Sequence, residues 1–133
     1  MSGGMSGGQS PDAAQSALIF GFQEKLPDTT PELLAELTKR SQDVETQLQQ
    51  GALGSIWLPA IGTKEVALAL EDHVSELSDE QRLLFSSALM RLTQAAWQID
   101  ADGDLGNKEK LSEDYKVFAA AVADIKSVYA ANR

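Results

Sequence analysis

The stretch Asp79–Ile99, DEQRLLFSSALMRLTQAAWQI, constrains this chain more than any other. Phe85, Leu89, Leu92, Ala96 and Ile99 recur at steps of four, three, four and three. That spacing keeps apolar side chains along one side of a helix packed lengthwise against other helices. Leu83, Met90 and Trp97 form a second line at intervals of seven. Together the lines predict a stripe wide enough to face two or three neighbours, as a bundle helix must. The pattern locates a core without naming a chemistry.

The same periods run elsewhere. Thr30 and Pro31 open a helix over 31–50, with Leu34, Leu37, Val44 and Leu48 on its seam and Gly51 as its stop. Thr63 caps a second helix, 63–77, carrying Ala67, Leu70, Val74 and Leu77. Ser78 followed by Gln81 is a capping box that opens the third helix, 79–100, and makes a tight turn with the second. Leu111, Tyr115, Phe118, Val122, Ile125 and Tyr129 mark a fourth over 107–131. Four helices with short links predict an all-α, up-down-up-down four-helix bundle.

A short extra helix precedes them. Residues 1–10 are rich in Gly and Ser and read as a flexible tail; residues 11–133 read as a single domain. Ser10-Pro11-Asp12 opens a helix over 11–25, where Ala14, Leu18, Phe22 and Leu26 recur at steps of four. Two readings of it stand: a strap lying on the bundle, or a tethered helix that offers Phe22 to a partner's groove.

Residues 51–62, GALGSIWLPAIG, contain three glycines and a proline and read as the longest link. Its apolar residues either fold over the end of the core or present Trp57 and Leu58 to a partner. The topology brings this link and the segment 100–107 to one end of the bundle. The acids Glu71, Asp72, Glu76, Asp79 and Glu80 fall at the other end, about 30 Å away.

A net charge of −9 and a pI near 4.4 argue against nucleic acid and anionic membranes. No run of about 18 apolar residues predicts a membrane span. There is no cysteine, so disulfide and thiolate chemistry are excluded. The opening MSGGMSGGQS lacks the basic-then-apolar order of a signal peptide. The chain as it stands reads as cytoplasmic; it is periplasmic or secreted if that opening replaces a signal peptide.

Asp100, Asp102 and Asp104 resemble the opening of a calcium-binding EF-hand loop, but Leu105 stands where glycine is needed and Leu111 where a bidentate acid is needed. The three aspartates stay as candidate metal ligands. His73 is the only histidine, too few for a zinc site; Met90, which would face it in a Met–His haem pair, falls about 10 Å from it along the axis, and the acidic flanks of His73 disfavour phosphotransfer. No nucleophile elbow, phosphate loop, zinc-protease or dinucleotide motif is present. The sequence therefore predicts a non-enzymatic protein without a cofactor, an adaptor, inhibitor or subunit that binds another protein. The alternative is a small-molecule or metal-ion carrier using Trp57 and Asp100–Asp104. Oligomeric state is left open.

Overall fold

The computed structural model describes residues 26–131. Among them lie four α-helices: α1 (Thr30–Gln50), α2 (Trp57–Ala69), α3 (Asp79–Asp104) and α4 (Lys108–Ala130). Two 3₁₀ turns, Leu53–Ser55 and Leu70–Glu76, flank α2, and no strand occurs among the described residues. The chain is all-α over this span. The expected tail, residues 1–10, and the expected N-terminal helix, 11–25, lie outside the described residues. Helix α1 packs on α2 and α4, and α3 packs on α2 and, most extensively, on α4.

The helix ends follow from local chemistry. Ser78 Oγ accepts from the Gln81 N–H at 3.1 Å, and Gln81 Oε1 accepts from the Ser78 N–H at 2.9 Å, completing the expected capping box. Gly51 closes α1 in the left-handed region, at φ 76°, where a side chain would be strained. Asn107 Oδ1 accepts from the Lys110 N–H and opens α4.

Three boundaries differ from the sequence expectation. The cap of α1 is Thr29, whose Oγ1 accepts from the Glu32 N–H. Thr30 instead donates to Glu76 Oε2 at 2.8 Å, fastening the start of α1 to the 3₁₀ turn after α2. That hydrogen bond, with His73 Nδ1 at 3.1 Å, holds the Glu76 carboxyl below its ordinary range.

The segment 51–62 is not a loop throughout, because α2 begins at Trp57. Pro59 sits in the first turn of that helix, where a backbone N–H has no intrahelical acceptor to lose. Thr63 is therefore not a cap; its hydroxyl donates to the Pro59 carbonyl at 2.7 Å, inside the helix. Finally, α3 continues through the aspartates to Asp104 instead of stopping at residue 100.

Phe85, Ala88, Leu89, Leu92, Ala95, Ala96 and Ile99 form the buried side of α3. They meet Leu111, Phe118, Ala121, Val122, Ile125 and Tyr129 of α4, Leu33, Leu37, Val44 and Leu48 of α1, and Ala60, Val66 and Ala67 of α2 in one core. The Tyr129 ring stands edge-on to Phe85, with centroids 5.7 Å apart, and its hydroxyl donates to the Leu70 carbonyl at 2.8 Å. Burial pushes this phenol up to about 12.

The stretch Leu53–Glu76 reaches a mean hydropathy of 1.2, apolar and long enough by composition to cross a membrane. It is not an unbroken apolar run, because Lys64 and Glu65 interrupt it. Its residues Ala60, Val66, Ala67 and Leu70 are nevertheless fully buried against the other helices.

Two substitutions test this packing. Leu92 is fully buried, so Leu92→Ala is expected to lower stability by about 2–5 kcal/mol through lost contacts and a residual cavity. A Cβ at Gly103 would lie 2.8 Å from the Leu53 carbonyl oxygen and 2.9 Å from Ile56 Cγ2. Gly103→Ala should therefore also lower the urea midpoint, and an unchanged midpoint in either variant would mean that the contact is misplaced.

Candidate functional site

A residue on an α-helix turns about 100° from its predecessor. Leu83, Met90 and Trp97 each precede a buried seam residue, Phe85, Leu92 and Ile99, by two positions, and so point to the opposite side of α3. The structure places them there: Leu83 is 73%, Met90 63% and Trp97 69% exposed. They do not widen the core stripe, as the sequence expectation had it. They form a separate apolar line facing solvent.

The residues sharing this face from Leu83 to Gln98 are Ser86, Ser87, Gln94 and Gln98, all exposed and none charged. The charged residue within that span, Arg91, turns aside to Asp124 of α4 at 2.8 Å. By contrast, α1 exposes Glu32, Lys39, Asp43 and Glu45, and α4 exposes Lys108, Glu109, Lys110, Glu113, Lys116, Asp124 and Lys126. Those are ordinary solvent faces; the α3 face is not.

Two depressions follow the α2 side of the line. One, open and about 390 Å³, is lined by Leu68, Glu71, Ser86, Leu89, Met90 and Thr93. The next, about 100 Å³, is lined by Ile61, Lys64, Ala96, Trp97 and Asp100. The expected anchors fall elsewhere. Leu58 borders a different groove, between α1 and α2, beside Arg40 and Asp43. Trp57 is half-buried at the start of α2. Phe22 lies outside the described residues. The sequence signal that finds the α3 face is the two-residue offset between its two heptad lines.

Asp100, Asp102 and Asp104 stand on the last turn of α3, not in a loop. Asp102 is turned about 200° from each of the others. It is buried, while Asp100 is half-buried and Asp104 exposed. The three do not converge, and among the described residues no group of three or more His, Cys, Asp or Glu is placed to hold a metal ion.

Asp102 meets Asp114 of α4 instead. Asp102 Oδ2 and Asp114 Oδ2 are sealed from solvent, and no hydrogen bond from a backbone N–H or a basic side chain reaches either. Burial, then the hydrogen bond and the negative charge of Asp102, push the Asp114 carboxyl up to about 7, against the pull of Lys110. Two carboxyl groups set together with little water favour the state in which one keeps its proton, and the shift falls on Asp114.

The sign of the pH effect follows. An aspartate raised from 3.8 to about 7 binds its proton more tightly in the folded chain. Its contribution is complete below pH 3.8 and is lost as pH rises through 7. Melting temperature should therefore contain a component that falls between about pH 4 and pH 8. Asp114→Asn should flatten that component and raise stability at about pH 8 relative to the parent. A parallel pH profile in the two proteins would show that the Asp114 carboxyl is not raised in the fold.

Set against known proteins, the chain matches no protein-family model, no curated protein and no solved structure.

Proposed function

We propose that this chain is a non-enzymatic helical protein that works by binding another protein through the solvent face of α3. The supporting frame is an up-down-up-down four-helix bundle, each helix packed on its chain neighbour and α1 on α4. One observation carries the reading. A chain of net charge −9 leaves an uncharged face from Leu83 to Gln98, along which Leu, Met and Trp stand in line. Keeping such side chains in water forgoes about 1.5–3 kcal/mol apiece, a reserve that association recovers. Trp and Met are also the residue types that protein interfaces favour.

The carrier reading finds less support. Pockets for small molecules usually enclose about 300–1,000 Å³; the cavity that Asp100 lines is about 100 Å³, and the larger depressions, about 390 Å³ beside Met90 and about 640 Å³ beside Leu58, are open and lined by none of Trp57, Asp100, Asp102 and Asp104.

A photo-cross-linking residue tests the proposal in the cells that produce the protein. Placed at Met90, it should give a discrete adduct with another protein; placed at Lys116, on the charged face of α4, it should give none. Equal yields from both positions, or adducts from neither, would count against a binding role for α3. Met90→Lys should weaken the captured partner by at least about tenfold, since it puts a charge at the centre of an apolar contact.

A further inference from the structure

The uncharged face of α3 has acids at both ends. Asp79 and Glu80 precede it, and Asp100 and Asp104 close it. Among the described residues Arg82 lies 3.4 Å from Asp79 and Lys64 lines the same cavity as Asp100, while Glu80 and Asp104 enter no ion pair. The first pair suits the positive end of the helix dipole. The second does not, because the last turn of α3 holds aspartates and no basic residue at the end where the dipole favours cations. Helix stability therefore accounts for one acidic end and not for the other.

We infer that the occupant of this face is an amphipathic helix of another protein, uncharged over about four turns and carrying Lys or Arg at both ends. This rests on the reading of α3 as a binding face and adds the chemistry of the partner. From Leu83 to Gln98 the face runs about 23 Å, at about 1.5 Å per residue. A helix seated along it lays apolar side chains beside Met90 and Trp97 and brings its two ends to the two acidic ends.

The charges select against the other occupants. A second copy of α3, docked parallel or antiparallel, sets acids against acids at both ends. The chain's own residues 11–25 carry Asp12, Glu24 and Lys25, a net negative segment.

The test uses the full chain and two synthetic helical peptides of about five turns, identical in their apolar face, one ending in Lys pairs and the other in Glu pairs. The Lys-ended peptide should bind saturably and shift Trp emission to shorter wavelength as Trp97 is covered. The Glu-ended peptide should bind at least about tenfold more weakly, a gap that about 0.5 M salt narrows. Asp100→Asn combined with Asp104→Asn should weaken the Lys-ended peptide alone. Met90→Lys, with an unchanged melt, should abolish binding of either. Equal affinity for the two peptides overturns the charge inference and leaves α3 as a binding face; binding of neither overturns both. A dimer in sedimentation that Met90→Lys dissociates seats a second copy there, and a gain in peptide affinity on removing residues 1–25 seats that segment there; either result overturns the inference.

Discussion

The structure depends on the buried side of α3. Seven apolar residues from Phe85 to Ile99 pack inward, and three of them are alanines, Ala88, Ala95 and Ala96. Small side chains let neighbouring helices approach closely, because the distance between packed helices follows the residues at the contact. Phe85 and Leu92 fill the space between. The polar anchor of this packing is the Tyr129 hydroxyl, which satisfies the Leu70 carbonyl where the α-helical ladder gives way to a 3₁₀ turn. A core made this way needs a long α3, and at 26 residues it is the longest of the described helices.

A helix can bury only one side against such a core, so the character of its other side reports on something besides folding. On α1 and α4 the outer side is charged, as solvent favours. On α3 it is apolar and neutral, although the chain as a whole is strongly acidic. Folding does not account for Leu83, Met90 and Trp97, since each is more than half exposed. That exposure is what the proposed association rests on, together with the depressions that lie beside Met90 and Trp97.

The turn between α3 and α4 departs from simple stability in a second way. Three aspartates crowd the negative end of the α3 dipole, and one of them, Asp102, is driven inside against Asp114. Two carboxyls in a dry setting are tolerated when one keeps its proton. The same corner is held by Gly103, whose lack of a side chain lets the Leu53–Ser55 turn rest directly on α3. The pair and the glycine thus serve the corner, while Asp100 and Asp104 remain toward the outside of the helix.

Helix identity was readable because it rests on local spacing and local caps. The seam of α3, the Ser78–Gln81 box, the Gly51 stop and the seam of α4 all lie within a few residues of what they determine. The phase between the two heptad lines of α3 was also present in the sequence: a two-residue offset is about 200° on a helix, so both lines cannot face the same core. What tertiary structure decided is everything that needs a second element. Residues 57–62 are helical despite Pro59 and Gly62, because Ala60, Gly62 and Thr63 are buried against neighbours and packing outweighs weak local propensity. Arg40 is buried and spans from Glu36 to the Gly62 carbonyl of α2, a role invisible without knowing that the two helices touch. Asp114 holds its proton more tightly than an ordinary aspartate because the fold buries it and brings it against Asp102. Periodicity is a property of one helix alone, whereas burial, desolvation and a carboxyl's proton are set by what another part of the chain places beside it.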